Sequence, residues 1–258
     1  MKFDDLLRFF ADKAWFDFEM VLLLSGEEPA SVHTELYRWR QAGKVLELRR
    51  GLFTLAEPWR HAHLDGSGLA GPLYPPSYLS GRWLLARCGV LATGTPQSGA
   101  AGAAGATATA GSGAEYTSVT ARPGCVFENV FGRYAYATLP RDLLFGSASD
   151  DIGGIRVRVA LPEKALLDFC FVEGGEWDEE RFEAAGMNPA PPAPDQFGLK
   201  QLDRKQFDSN QPDIQQLDLV RLEGLAARTG RPRLVRAAGA FLRYAKRRGA
   251  LSLAGTGL

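Results

Sequence analysis

Apolar residues stand three and four apart over the first ten positions, as Phe3, Leu6, Leu7 and Phe10, with Asp4 and Asp5 beside them. That spacing puts the four on one face of a helix, and carboxylates in its first turn complement the positive end of the dipole. Asp17 precedes an apolar run to Leu24 and is placed to cap a second helix, which Ser25 and Gly26 end. Pro29 suits the first turn of a third helix, because its missing N–H costs nothing there, and Gly43 stops that helix after about residue 42. The period then shortens. Residues 45–48 (VLEL) and 52–55 (LFTL) read as strands, and Arg49, Arg50 and Gly51 form the predicted turn between them.

Further along, the pattern predicts a helix over 77–91. Strands follow within 115–121, 125–131, 133–139 and 154–161. A helix beginning at Pro162 places Ala165, Leu166, Phe169 and Val172 on one apolar face, and two more helices run over 217–229 and 233–248. Three helices followed by a two-stranded hairpin is the winged helix-turn-helix order. The expected class is therefore α+β. An N-terminal winged helix-turn-helix occupies 1–60, a Gly- and Pro-rich connector 61–76, and a mixed α/β C-terminal domain 77–258, helical from 217. Residues 92–114 are low-complexity Gly, Ala, Thr and Ser that bury almost nothing, and read as a flexible insertion. Residues 173–183 are acidic, and 188–198 form a Pro-rich break.

Composition narrows the class only modestly. The chain is 45% hydrophobic and 23% charged, which is ordinary globular composition. Its longest aliphatic run, 20–24, falls far short of the roughly 20 residues that span a bilayer. Asp4 and Asp5 stand where a secretory leader carries positive charge. Cys88, Cys125 and Cys170 are scattered without a C-x-x-C pair, which points to a reducing, cytoplasmic setting. Charge adds more. The net charge is zero, but residues 216–258 hold nine basic and two acidic side chains, and residues 61–215 hold twelve and eighteen. Any nucleic-acid footprint must then be local.

The third helix supplies the best candidate. On a helical wheel Val32, Leu36 and Trp39 share one stripe, while Thr34, Tyr37, Arg38 and Gln41 fall on the opposite face, roughly 140° to 240° from Val32. A guanidinium and an amide on such a face suit bidentate contacts to guanine and adenine in a major groove. Ser31 joins this set near the helix start. Arg49 and Arg50 on the hairpin would meet phosphates or the adjacent minor groove. His33 sits at the edge of the face. In the C-terminal helix, Arg231, Arg233, Arg236, Arg243, Lys246 and Arg247 read equally well as a second phosphate-contacting patch or as the wet side of an amphipathic helix.

Catalytic patterns are weak. Glu163, Lys164 and Asp168 carry acid and amine, but Lys164 and Asp168 four apart read as a helical ion pair, and Glu163 as a complement to the dipole. His61 and His63 lack a third metal ligand. The glycines of 99–113 lack the lysine of a phosphate loop, and no nucleophile elbow is present. Neither an active site nor a cofactor or metal is expected.

Several stretches together resemble AbiEi-type antitoxins, transcriptional regulators of type IV toxin–antitoxin systems. LYRWRQAGKVLELRRGLFTL is similar to their winged-helix domain, and PPSYLSGRWLLARCGVL to a helix of the family. SVTARPG and FGRYAYATLPRDLLFG resemble its small β region, and VRVALPEKALLDF its P-E-K-A-L-L-D segment. The resemblance implies a winged helix that binds double-stranded DNA at repeats in its own promoter, as an autorepressor. It also implies a C-terminal domain that counters a nucleotidyltransferase-like toxin. The stretches 92–114 and 173–216 are longer than that pattern, which leaves room for a solitary regulator with no toxin. A protein-interaction module is the alternative from another class.

Overall fold

The computed structural model describes residues 1–91, 113–152, 155–189 and 217–248. The expected insertion at 92–114 and the Pro-rich break lie almost wholly outside the described residues. The described chain is mixed α and β, with two sheets.

Helix α1 (Phe3–Phe10) buries Leu6 and Phe10. A two-residue strand β1 (Phe16–Asp17) follows, which the hydrophobic pattern did not reveal. Asp17 then caps α2 (Phe18–Ser25), its carboxylate accepting from the Met20 N–H at 2.7 Å. Gly26 closes that helix at φ 65°, a left-handed conformation that glycine adopts without a Cβ penalty. Helix α3 (Pro29–Gln41) turns Val32, Leu36 and Trp39 inward, as its wheel predicts. Strands β2 (Val45–Arg49) and β3 (Leu52–Leu55) pair antiparallel, and β1 joins β3 to give the order β1-β3-β2. A small core gathers Leu6, Phe10, Phe16, Val21, Val32, Leu36, Trp39, Val45, Phe53 and Leu55.

The segment expected to be a connector is instead a packed layer. Its Asp65-capped 3₁₀ turn (Gly66–Leu69) runs into the short helix α4 (Ala70–Leu73), and Leu69, Ala70 and Leu73 are buried in the larger core. The helix expected over 77–91 also divides. Residues Ser77–Leu79 form strand β4, and only Arg82–Arg87 are helical, as α5. Gly81 makes the corner between them at φ 63°. Tertiary pairing overrides local helical propensity here, because β4 fills the middle of a six-stranded sheet.

That sheet has the order β6-β7-β5-β4-β9-β8. It contains β5 (Glu115–Thr120), β6 (Cys125–Asn129), β7 (Gly132–Thr138), β8 (Ser147–Ile152) and β9 (Ile155–Ala160). Strand β8 is an edge strand of sequence SASDDI, too polar for the hydrophobic pattern to mark it. Register sorts the two faces. Leu79, Ser118, Tyr136 and Val159 share one, and the Tyr134 and Tyr136 hydroxyls there donate to the Gly66 and Ala70 carbonyls. The 64–73 segment therefore covers this face. Tyr78 and Ser80 face the other way, onto α6 (Pro162–Glu173), which packs with α8 (Leu219–Arg228) and α9 (Pro232–Arg247), while α7 (Glu179–Ala184) packs on α9.

Candidate functional site

The outward face of α3 is built as the wheel describes. Ser31, Thr34, Tyr37, Arg38 and Gln41 are all exposed, Tyr37 by 56%. Their polar groups are partly occupied within the chain. Ser31 Oγ donates to Glu27 at 3.0 Å, Thr34 Oγ1 donates to the Ala30 carbonyl at 2.8 Å, and Arg38 donates to Glu35 at 3.0 Å. These are exposed contacts, cheap to exchange for another partner.

The hairpin departs from expectation at one residue. Glu47 pairs with Phe53 and Arg49 with Leu52, so Leu48 is an extra residue in a β-bulge. Arg49 thus belongs to β2 instead of the turn, and it is half-buried. Its Nη1 donates to the Arg50 carbonyl at 3.1 Å, and its Nε is buried without an acceptor among the described residues. Its guanidinium lies near enough to Tyr136 of the larger body to oppose the upward push that burial gives that phenol. Arg50 stands exposed beside Gly51. The two arginines expected to act alike are placed differently, and Arg50 is the one presented to solvent.

Three contacts tie α2, α3 and the hairpin to one another. Arg40 of α3 forms an ion pair with Glu47 of β2, and its guanidinium lies 5.6 Å from the Tyr37 ring centroid. The Phe18 N–H donates to the Gly51 carbonyl at 3.0 Å, tying the start of α2 to the turn. His33 stacks on Phe18 with centroids 4.1 Å apart. An open groove lies between these elements, with Leu36 and Phe53 in its lining. In the sequence Arg40 reads only as a solvated surface arginine like Arg38, and nothing marks Glu47. Arg40 lies close to His33 on the wheel, on the side that turns toward the hairpin, but Glu47 reaches it only through the fold.

The C-terminal cations are placed on neighbouring acids. Arg231 reaches Asp142 at 2.7 Å, Arg236 reaches Glu176 at 2.7 Å, and Arg243 reaches Glu179 at 3.1 Å. Arg247 pairs with Glu179 and Glu183, Arg248 with Glu183, and Arg233 donates to the Phe171 carbonyl at 3.1 Å. Lys246 lies in the last turn of the same helix. Of the two expectations for α9, the geometry favours the amphipathic helix, whose wet side is neutralised by the acidic stretch around α7.

The P-E-K-A-L-L-D segment holds the expected helical pair, and the structure places it inside the protein. Lys164 and Asp168 do pair, but both are buried, and Asp168 also accepts from Ser80 Oγ at 2.7 Å and Tyr78 Oη at 3.2 Å. Burial pushes the Asp168 carboxyl up, against the pull of the Lys164 ammonium. Glu163 stands in the first turn of α6, as expected of a residue that complements the dipole, but it is buried and accepts from the Asp218 N–H at the start of α8. Burial likewise pushes up the Cys170 thiol. Asp168 and Glu163 tie α6 to the residues of 78–80 and to the start of α8. Among the described residues no three His, Cys, Asp or Glu side chains converge on a metal site, and no helix is long and apolar enough to cross a membrane.

In comparisons with known proteins, the chain matches no family model and no curated protein.

Proposed function

We propose that residues 1–60 are a winged helix-turn-helix that binds double-stranded DNA, and that the protein is a transcriptional regulator repressing its own promoter. The observation that carries this reading is the exposed face of α3 set beside the Arg50 turn: Thr34, Tyr37, Arg38 and Gln41 look outward while Val32, Leu36 and Trp39 are buried. In this reading α3 enters a major groove, where Arg38 and Gln41 contact base edges. Arg50 meets the backbone or the neighbouring minor groove. The resemblance to AbiEi-type antitoxins extends the proposal to a nucleotidyltransferase-like toxin opposed by the larger body.

The test is a gel shift with a duplex of the chain's own upstream region. Arg38→Ala should cost about 1–3 kcal/mol on that duplex and relax preference at one base position, whereas Arg50→Ala should weaken all duplexes alike. Absence of any shift at low salt would sink the proposal. One observation favours the interaction-module reading. Met20, Leu23 and Leu24 form an exposed apolar ridge on α2, Leu23 being 83% exposed. Capture of the neighbouring gene product by a protein that binds no DNA would support that alternative.

A further inference from the structure

Two of the four arginines on the candidate DNA face are matched by carboxylates. Arg38 is held by Glu35 and Arg40 by Glu47. The groove between α3 and the hairpin is lined by Asp17, Glu19 and Glu47 as well as by Arg40, Arg49 and Arg50. The basic helix α9 offers no substitute, since its arginines lie on Asp142, Glu176, Glu179 and Glu183. Sequence-independent binding comes almost wholly from cations that neutralise phosphates and release counterions. With Arg38 and Arg40 held, the face has less such charge to spend, and Arg50 carries most of it.

Resting on the DNA-binding reading, we propose that Glu35 and Glu47 set the specificity of this interface by withholding Arg38 and Arg40 from phosphates. An exposed ion pair is weak, and a lone phosphate contact gains little by breaking it. A guanine edge that accepts two hydrogen bonds from Arg38 is a stronger competitor and draws the guanidinium out of its pair. Glu47 acts differently from Glu35. It is a positioning residue, spanning from β2 to α3, and it keeps Arg40 beside the Tyr37 ring. Discrimination then comes from a built-in penalty on the wrong partner as well as from attraction to the right one.

The experiment compares Glu35→Gln, Glu47→Gln and the double variant with the unaltered chain. The probes are the upstream duplex and a scrambled duplex of equal length, over a series of salt concentrations. Each freed arginine should tighten scrambled-duplex binding by about threefold at low salt and steepen its salt slope by about one. The upstream duplex should gain less, so the ratio between the two falls. In an Arg38→Ala background, Glu35→Gln should have no effect. Glu47→Asp, which keeps the charge, should restore weak scrambled-duplex binding and so separates charge from folding. Unchanged or weaker scrambled-duplex binding in both Gln variants overturns the inference. An unaltered chain that binds neither duplex overturns the DNA-binding reading itself.

Discussion

Lys164 and Asp168 show how far a spacing rule reaches. Four apart on a helix, they read as an ion pair worth a few tenths of a kcal/mol. They pair, but inside the protein, where the remaining Asp168 oxygen is satisfied by Ser80 and Tyr78. Replacing one partner leaves the other charge buried, so Lys164→Met should lower unfolding free energy by about 3–5 kcal/mol in urea titrations. Glu163 yields a pH prediction. Burial raises its carboxyl above the ordinary 4.5. The folded state therefore binds that proton more tightly than the unfolded chain does. This contribution favours the fold below pH 4.5 and is lost as pH rises through the raised value. Glu163→Gln removes it. Paired unfolding measurements should show the variant gaining on the original chain as pH rises above 4.5. Equal pH profiles would refute the assignment. The identity of these residues was legible; their burial was not, because it depends on Tyr78 and Ser80, 90 and 88 positions before Asp168, and on Asp218, 55 positions after Glu163.

Helices α7 and α9 meet along a line of exposed ion pairs, from Arg236 and Glu176 to Arg248 and Glu183. Such pairs contribute about 0–1 kcal/mol each and are screened by salt. The apolar contacts beneath them carry more: Phe182 and Phe241 meet edge to face at 5.1 Å, and both are fully buried. With its arginines occupied, α9 should add little to nucleic-acid binding. The triple variant Arg236→Ala, Arg243→Ala, Arg247→Ala should leave duplex affinity within about twofold and the salt slope unchanged. A slope shallower by two or three units would restore the second phosphate patch. Element by element, α1 to α3 and both hairpin strands followed from periodicity, capping and glycine placement. Strand β4 did not, since the stretch containing it reads as helical until its partners β5 and β9 are known. Strands β1 and β8 are too short or too polar to stand out.

Across the molecule, the hairpin belongs to two cores at once. Val45, Phe53 and Leu55 pack with α1 to α3, while Leu48 and Leu52 lie in the larger core. Asn129 Nδ2 donates to the Leu48 carbonyl at 3.3 Å. Arg60 donates to the Leu55 carbonyl at 3.0 Å and lies over the Phe131 ring. The hairpin that bears Arg50 is therefore braced by the larger body. Leu48→Ala should cost about 2–5 kcal/mol. Thermal unfolding followed by near-ultraviolet and far-ultraviolet signals should keep one coincident transition, because the cavity weakens both units. Two separated transitions would show that the units are independent.

The pattern of apolar and polar positions was enough to establish the order of the first three helices and the hairpin, the inward stripe Val32, Leu36 and Trp39, and the outward polar face. Each follows from interactions within a few residues: helical period, caps and turn chemistry. Tertiary structure alone decided that Arg49 is half-buried at the end of β2 while Arg50 stays in solvent. It also decided that Arg40 meets Glu47, that the basic helix lies on acids, and that the supposed connector covers a sheet. Those outcomes depend on which distant segments share a surface, and side chains far apart in the chain acquire their burial and electrostatic partners only when the sheet and its covering layers assemble.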